Sequence, residues 1–214
     1  MADSVKGFFI SIEGMDGSGK STQVDLLKEY LGERLGDRDL YFFREPGGTS
    51  IGERVREILK DPQFTIMTDA CELLLFSAGR AQLCREKIIP LLERGCVVIA
   101  DRFRDSTAVY QGFARGIDEK IVDSISDFAC KGLKPDLTIY LKISPEQAHA
   151  RIKQRESSKD DRLDQEGLEF LRKVEDGYNR LIESDKGRFV IIDAEKSVDD
   201  IHKDIINTVL KYQK

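Results

Sequence analysis

Residues 8–22, FFISIEGMDGSGKST, constrain the fold more than any other stretch of the chain. The first half is an apolar run dense in residues that favour β-strands, and a helix-period pattern follows the second half. Between them, Gly14, Gly19, Lys20 and Ser21 fit the P-loop pattern of a glycine, four residues and then Gly-Lys-Ser. The stretch therefore predicts a strand, a phosphate-binding turn and a helix.

The residue types of this turn suit a nucleoside triphosphate. Its backbone N–H groups and the positive end of the following helix can bind phosphate oxygens, and glycine leaves no Cβ between backbone and phosphate. Lys20 can place its ammonium on the β- and γ-phosphates, and Ser21 can offer a hydroxyl to Mg²⁺. The residues expected to bind the nucleotide are Gly14, Asp16, Gly17, Ser18, Gly19, Lys20, Ser21 and Thr22.

Apolar runs farther along the chain predict a doubly wound α/β fold. The expected strands are residues 8–12, 40–43, 96–100, 136–143 and 188–193, with helices between them. Such alternation is typical of a parallel five-stranded sheet flanked by helices, here in one domain of residues 1–214. The first helical pattern extends to Leu35, and a later one spans residues 68–93. In that second pattern, Cys71, Leu74, Leu75 and Ala78 are expected to face the core.

Composition narrows the class of protein. The chain has 214 residues and a net charge of −5, which argues against broad binding to nucleic acid or membrane surfaces because both need a basic face. The N-terminus does not resemble a signal peptide, and no apolar stretch approaches membrane-spanning length. The four cysteines lack C-x-x-C spacing and are interpreted as buried thiols. We therefore expect a cytoplasmic protein.

Polar motifs follow two of the predicted strands. Residues 44–49, REPGGT, and residues 101–103, DRF, come at carboxyl ends of strands, the edge where parallel sheets bind ligands. Asp101 is expected to hold Mg²⁺ together with Ser21. The charged residues 151–164, RIKQRESSKDDRLD, fit either a solvated loop or a mobile lid whose arginines close over phosphates.

A P-loop leaves two classes of function open, a phosphotransferase with a second substrate and a GTPase switch. The switch would need an Asn/Thr-Lys-x-Asp motif after a late strand, and the nearest string, residues 158–161, begins with serine and lies in a polar run. By contrast, the arginines expected on the second-substrate side can hold an anionic acceptor. They are Arg44, Arg56, Arg80 and Arg102.

As a set, these motifs resemble the thymidylate kinase family, bacterial type. The matching stretches are residues 13–22, 44–49, 76–80, 101–106, 110–112, 135–138 and 162–164, in the family's order along nearly the whole chain. The resemblance implies a nucleoside monophosphate kinase fold with a short mobile lid at residues 151–164. It also implies transfer of the ATP γ-phosphoryl group to dTMP with Mg²⁺, and a homodimer.

The resemblance also implies roles for individual residues. Phe76 would stack on thymine, Arg80 and Thr107 would read its polar edge, and Gln111 would lie beside the base. Asp16 would approach the sugar 3′-hydroxyl, and Tyr110 would disfavour a 2′-hydroxyl. The expected substrate-binding residues are Asp16, Arg44, Glu45, Pro46, Arg56, Phe76, Arg80, Arg102, Ser106, Thr107, Tyr110 and Gln111.

Catalysis is expected to come from positioning and charge neutralisation during in-line transfer. Lys20 and Arg102 would share the developing charge. Some members of the family carry a basic residue in the P-loop after the acid, where this chain has Gly17, so Arg155 or Arg162 of the lid would supply the missing charge. The alternatives are a kinase of another nucleoside or deoxynucleoside monophosphate or of a deoxynucleoside, and a P-loop nucleotide-binding switch.

Overall fold

A six-stranded sheet runs through the computed structural model, which describes residues 6–154 and 162–211 apart from the side chain of Asp164. The strands are β1 (Phe8–Glu13), β2 (Arg34–Leu35), β3 (Arg38–Arg44), β4 (Val97–Asp101), β5 (Leu137–Lys142) and β6 (Phe189–Asp193), in the order β2-β3-β4-β1-β5-β6. All neighbours pair in parallel except β2 and β3. The predicted five-stranded parallel sheet is confirmed, and β2 is an additional antiparallel strand.

Helices cover both faces of this sheet. They are α1 (Lys20–Leu31), α2 (Ser50–Lys60), α3 (Asp69–Leu83), α4 (Ile89–Glu93), α5 (Arg104–Thr107), α6 (Glu119–Cys130), α7 (Pro145–Lys153), α8 (Leu168–Ser184) and α9 (Val198–Lys211). Two π-helical segments, Cys84–Ile88 and Ala108–Ala114, continue α3 and α5, and Arg162–Gln165 forms a short 3₁₀ turn. In the two described ranges, we find no helix with the length and apolar character needed to cross a membrane.

The position of β1 in the sheet creates the site. Strand β1 pairs with β4 on one side and β5 on the other, so the chain connections diverge at its carboxyl end. Such a switch point opens a crevice outside the strand ends of an open α/β sheet. Because Ile12 and Arg44 both pair with Asp101, the ends of β1, β3 and β4 converge at this crevice.

The core lies on both faces of the sheet. Ile10 and Ile12 of β1 pack into one buried cluster, and Phe9, which precedes Ile10 in sequence, packs into the other. Alternate residues of a strand point to opposite faces, which explains why the central strands are apolar almost without interruption. This packing fixes β1 so that the loop after it begins from a rigid base.

The first helix ends earlier than the apolar spacing predicted. Helix α1 stops at Leu31, where Gly32 takes a φ of 63° and donates its N–H to the carbonyl oxygen of Lys28. Leu35 is buried in β2 instead of continuing the helix. The expectation of a helix to Leu35 was wrong because a glycine with positive φ ends a helix despite apolar residues at helical spacing beyond it.

The core stripe predicted for α3 was also wrong. Cys71, Leu74 and Ala78 are exposed and Leu75 is half-buried. The inward face carries Glu72, Leu73, Ser77, Gly79, Arg80 and Leu83. Several of these inward residues are polar because they face the crevice. A prediction that places the apolar residues in the core therefore assigned the solvent-exposed face of α3 to the core. Cys71 is therefore not a buried thiol, whereas Cys84, Cys96 and Cys130 are buried as expected.

We predict that Gly17 is required by the packing of the loop as well as by its conformation. Gly17 has a φ of 85°, and a Cβ there would lie 2.5 Å from the carbonyl oxygen of Ala148. Gly17→Ala should lower the free energy of unfolding by about 2–5 kcal/mol, from the left-handed conformation and the backbone clash together. Urea unfolding of the wild type and the variant measures the difference.

The matched control is Gly116→Ala. Gly116 has a nearly equal φ of 81°, but a Cβ added there would meet nothing within 4 Å. The free energy of unfolding of this variant should fall by only about 1–2 kcal/mol, which is the cost of the left-handed conformation. Equal losses at the two positions would show that the contact with Ala148 contributes nothing.

Candidate functional site

The loop after β1 is shaped as an anion site. Gly19 precedes α1 with a φ of 89° and no side chain, so the first N–H groups of α1 have no side-chain cap. Uncapped N–H groups at a helix start, with the helix dipole, favour a bound anion. Lys20 Nζ folds back and donates to the carbonyl oxygen of Met15 at 2.9 Å and to Ser18 Oγ at 3.5 Å.

Lys20 is poised to gain charge stabilisation from a bound phosphate. Burial and the nearby Arg102 guanidinium lower the pKa of Lys20 to about 8, although the carboxylates of Asp16, Asp101 and Glu13 oppose this shift. An anionic phosphate against the ammonium would raise the pKa again. In the free protein, the Lys20 ammonium therefore loses its proton at a lower pH than an ordinary lysine does.

The pair formed by Arg102 and Asp16 joins the loop to the end of β4. Arg102 Nη2 donates to Asp16 Oδ1 at 2.6 Å and to Tyr110 Oη at 3.3 Å, and Tyr110 Oη donates to Asp16 Oδ2 at 3.0 Å. Arg102 Nη1 donates to the Gly14 carbonyl at 3.0 Å and to Ser106 Oγ at 2.9 Å. Four of the five guanidinium N–H groups are thus used within the protein.

Electrostatics keeps this pair ionised. Burial alone would raise the pKa of Asp16, but the charges of Arg102 and Lys20 outweigh burial and hold that pKa well below its usual range. Arg102 itself has a φ of 69°, a conformation uncommon for residues other than glycine. Residues held in such conformations cluster at functional sites, which agrees with the place of Arg102 in the crevice.

Glu13, at the end of β1, anchors the same region from beneath. Its Oε1 accepts the Phe103 N–H at 2.8 Å, and its Oε2 accepts from Ser106 Oγ at 2.6 Å and Tyr178 Oη at 2.9 Å. Burial and the charge of Asp105 raise the pKa of Glu13. Glu13 received no role of its own from the sequence; the signal was a carboxylate at the last position of an otherwise mostly apolar strand.

Ser21 and Asp101 supply a donor set that fits Mg²⁺. Ser21 Oγ donates to Asp101 Oδ2 at 3.3 Å, so a hydroxyl and a carboxylate meet beside the phosphate loop. Oxygen donors of this kind, one or two per site with phosphates and water completing the set, are what Mg²⁺ binds in nucleotide enzymes. The structure thus brings together the two residues that the sequence predicts as ligands.

The far wall of the crevice is centred on Arg80, which is buried. Arg80 Nε donates to Glu45 Oε2 at 2.6 Å, Nη1 to Thr107 Oγ1 at 2.8 Å and Nη2 to the Phe103 carbonyl at 3.2 Å. Burial raises the pKa of Glu45 to about 7, against the opposing charge of Arg80. Arg80 therefore fixes the positions of the loop after β3 and of α5 relative to α3.

Glu72, a buried carboxylate on α3, has three partners. Its Oε1 accepts from Gln111 Nε2 at 2.9 Å and from Arg115 Nε at 3.3 Å. Its Oε2 accepts from Arg162 Nη2, and Arg162 Nε donates to the Leu59 carbonyl at 3.0 Å. Arg115 also pairs with Glu166 and lies over the Phe170 ring. Neither Glu72 nor Arg115 was identified from the sequence.

The loop after β3 is held by α2. Arg44 Nη2 donates to Glu53 Oε2 at 2.7 Å, and Glu53 Oε1 accepts the Gly48 N–H at 2.8 Å. Arg56 Nη1 donates to the Pro46 carbonyl at 3.1 Å. Two cationic side chains therefore border the crevice at this loop.

The structure brings nearly all the predicted site residues to one cavity. Those that line it are Asp16, Gly17, Gly19, Lys20, Ser21, Thr22, Arg44, Glu45, Pro46, Arg56, Phe76, Arg80, Asp101, Arg102, Ser106, Thr107, Tyr110 and Gln111. Gly14 and Ser18 are buried in the body of the loop beneath it. Arg162 lies against Glu72, and Arg155 falls outside the described residues.

Other residues that line the cavity were not among the site residues predicted from the sequence. They are Lys60, Glu72, Arg115, Ile152, Leu163, Glu166, Phe170 and Leu171. They come from α3, α8, the ends of α2 and α7, the residue after the second π-helical segment and the 3₁₀ turn with the residue after it, and these segments meet at the crevice only in the folded chain. The cavity thus has an anion-binding loop at one end and a buried polar slot at the other.

Comparisons with known proteins agree with this arrangement. The thymidylate kinase family model matches residues 12–205. A thymidylate kinase of Caldanaerobacter subterraneus subsp. tengcongensis is 47% identical over 210 residues, 98% of this chain and 98% of that protein. One from Thermoanaerobacter pseudethanolicus is 45% identical over 208 residues, which cover 97% of this chain and all of that protein, 100%.

A solved structure extends the likeness to the fold. The crystal structure of thymidylate kinase from Ehrlichia chaffeensis superposes with a TM-score of 0.76 at 32% identity and covers 95% of this chain and 98% of that one. The fold predicted from the sequence is confirmed by this neighbour. The chain, from its phosphate loop to its final helix, belongs to the thymidylate kinase family.

Proposed function

We propose that this protein transfers the γ-phosphoryl group of ATP to the phosphate of dTMP and forms dTDP and ADP. The observation that carries the proposal is the pair of Arg102 with Asp16, which joins the phosphate loop to the slot between α3 and α5. A donor bound at Lys20 and an acceptor bound in that slot would share one cavity. Membership of the thymidylate kinase family supports the same reaction.

The reaction needs a fixed geometry more than a chemical group. A phosphate oxygen of dTMP would form a bond to the γ-phosphorus as the bond from that phosphorus to the β–γ bridging oxygen breaks. In such a transfer charge spreads over the phosphoryl oxygens, and positioning with charge neutralisation lowers the barrier. Lys20 and the N–H groups at the start of α1 would hold the donor phosphates.

Arg102 would hold the acceptor phosphate against the loop. Its contacts with Gly14, Ser106, Asp16 and Tyr110 fix the guanidinium before any ligand arrives. Preorganised charge is more effective than charge that must move during the reaction. Arg44 and Arg56 would add positive charge at the loop after β3.

Mg²⁺ would be held by Ser21 and Asp101, the hydroxyl and carboxylate beside Lys20. When bound, the ion neutralises charge on the β- and γ-phosphates. The role of the protein here is to orient these two oxygen donors toward the phosphate loop. No further ligand from the chain is required, because phosphates and water complete the coordination in comparable sites.

The base would enter the slot beside Phe76, which is half-buried and lines the cavity. Stacking on this ring, with hydrogen bonds between the base and Arg80, Thr107 and Gln111, would select the base. A base with the wrong polar edge leaves buried groups unpaired, which is costly. Asp16 and Tyr110 would contact the sugar of dTMP.

A homodimer is proposed as well. The exposed stripe of Cys71, Leu74 and Ala78 on α3 lies on a helix that packs against α2 and α6, which expose Ile51, Ile58, Ile121 and Phe128. An apolar surface of this kind favours association of two copies.

The four cysteines, all free, support the further proposal that the protein acts in a reducing compartment such as the cytoplasm.

The proposal is tested by a substrate panel with an assay for ADP release. With ATP and Mg²⁺, dTMP should give the largest kcat/KM among dTMP, dUMP, UMP, CMP, AMP and GMP. A larger kcat/KM for another monophosphate would replace dTMP as the acceptor. Slow hydrolysis of ATP or GTP without stimulation by any monophosphate would instead indicate a nucleotide-binding switch.

Asp16→Ala should separate the two substrates. Loss of the carboxylate removes the partner of Arg102 and the proposed sugar contact, so the affinity for dTMP should fall about 10- to 100-fold while ATP affinity changes by less than about threefold. Titration calorimetry with each nucleotide measures both. Asp25→Ala, at an exposed aspartate on α1, is the control. If the variant loses affinity for ATP and keeps its affinity for dTMP, Asp16 acts in the donor site instead.

The affinity for ATP should fall as pH rises above the pKa of Lys20. The pKa is about 8 in the free protein and would be raised by bound phosphate, so the ammonium form that binds ATP is depleted at higher pH. The dissociation constant of Mg-ATP should increase by up to about tenfold per pH unit above that pKa. In Lys20→Arg, whose guanidinium stays charged, binding should be weaker but nearly independent of pH. A flat profile in the wild type would contradict the lowered pKa.

We propose that residues 151–164 are a lid within a single domain and that Arg155 or Arg162 completes the neutralisation of charge. The arginines of this stretch support the proposal, and Arg162 would exchange Glu72 for a phosphate when it acts. Arg155→Ala or Arg162→Ala should lower kcat about tenfold or more without a comparable change in ATP affinity. Arg172→Ala, at an exposed arginine on α8, is the matched control. Unchanged kcat in both lid variants would exclude this role.

A further inference from the structure

Two rows of side chains face each other across the slot proposed for the base. Glu72, Phe76 and Arg80 lie four residues apart along one face of α3. Opposite them lie Thr107 at the end of α5, Gln111 in the π-helical segment that follows, and Arg115 directly after that segment, also four residues apart. Hydrogen bonds join the two rows at both ends. Arg80 donates to Thr107 at one end, and Gln111 donates to Glu72 at the other. The slot beside Phe76 is thus closed by hydrogen bonds at each end.

The Glu72 end of the slot is anionic. Glu72 is only 2% exposed, and burial alone would raise its pKa. The hydrogen bond from Gln111 and the guanidiniums of Arg115 and Arg162 more than offset burial and lower the pKa below its usual value. Glu72 is therefore a carboxylate at neutral pH, and an ionised carboxylate can only accept hydrogen bonds.

This fixes the orientation of the Gln111 amide. The amide oxygen and nitrogen of a glutamine are distinguished by their partners, and an acceptor 2.9 Å away requires the nitrogen. Nε2 therefore faces Glu72, and Oε1 must point the other way. Gln111 is 3% exposed and lines the cavity. Within residues 6–154 and 162–211, no side chain or backbone group donates to its Oε1.

We infer that Glu72 is a positioning residue that sets the base preference of the enzyme, by holding Gln111 with its carbonyl oxygen toward the base. The inference rests on the proposed function, since it assumes a pyrimidine in the slot. Arg80 can only donate and Gln111, so held, can only accept. Together they match thymine or uracil, in which an accepting O4 adjoins a donating N3–H.

The same arrangement opposes cytosine. Cytosine has a donating amino group and an accepting N3 at the corresponding positions, so it would meet donor against donor at Arg80 and acceptor against acceptor at Gln111. Buried groups left unpaired in this way produce large discrimination. A glutamine free to rotate its amide would read either base at N3, so the discrimination at Gln111 depends on Glu72.

The test compares dTMP with dCMP in a double-mutant cycle. Glu72→Gln offers Gln111 an amide that can donate or accept, so the ratio of kcat/KM for dTMP to that for dCMP should fall about tenfold or more. In the Gln111→Met background the same Glu72→Gln change should leave the ratio unaltered. A ratio that is unchanged in the wild-type background, or that changes equally in both backgrounds, would overturn the inference.

Further variants separate positioning from a merely structural effect. Glu72→Asp keeps a carboxylate and should retain more of the base preference than Glu72→Gln. A loss of packing alone would lower activity toward both nucleotides and leave their ratio constant. In the wild type, NMR of the Gln111 side-chain amide gives a measurement that needs no variant. The amide proton that Gln111 donates to Glu72 should remain bonded there when dTMP binds, and transfer of this hydrogen bond to the nucleotide would contradict the inference.

Binding without ATP distinguishes this inference from the proposed function. Dissociation constants for dTMP and dCMP are measured by calorimetry for the same variants. If dTMP is preferred in a way that depends on Glu72 but no phosphoryl transfer occurs, the inference stands and the proposed function fails. If dTMP is phosphorylated with a preference over dCMP that Glu72 does not influence, the function stands and the inference fails.

Discussion

The pairing of Arg102 with Asp16 is the interaction on which the site depends. It joins the loop after β1 to the end of β4, two segments that a parallel sheet brings to the same edge but does not itself connect. Arg102 also binds the carbonyl of Gly14 and the hydroxyls of Ser106 and Tyr110. The phosphate loop and the wall of the slot proposed for the acceptor are thereby held at one separation. For a reaction governed by distance and alignment, that separation matters more than any single reactive group.

Buried carboxylates give this region its rigidity. Glu13 supports the chain after β4 from below, Glu45 fixes Arg80, and Glu72 collects Gln111, Arg115 and Arg162. A buried charge is costly unless it is paired and hydrogen-bonded, so each carboxylate restricts the positions of its partners. The net charge of the chain is negative, yet the cavity gathers several arginines. Local pairing, and not overall charge, decides which ligands this surface attracts.

The features that depend only on contiguous residues were predicted well from the sequence. The phosphate loop follows from the spacing of Gly14, Gly19, Lys20 and Ser21, and the strands follow from apolar runs. Predictions from the sequence were wrong where the surroundings of a residue are formed by segments far away in the chain. On α3 the apolar residues face outward because the inward face meets the crevice, and no local pattern contains that fact. At Leu35 the apolar spacing continued past a glycine that ends α1. The error on α3 came from treating hydrophobicity as the only reason for burial, and the error at Leu35 came from following apolar spacing past a glycine that ends the helix.

By itself, the sequence determined the fold class, the phosphate loop and the identity of most residues in the cavity, because motifs and strand periodicity are local properties of the chain. Only the tertiary structure decided which side chains bind each other. Gln111 and Glu72 are 39 residues apart, and Arg102 and Asp16 are 86 apart. Such pairs form because a parallel sheet collects strand ends at one edge and packed helices bring their polar faces together. The orientation of one amide, and with it the proposed choice of base, is therefore a property of the folded protein.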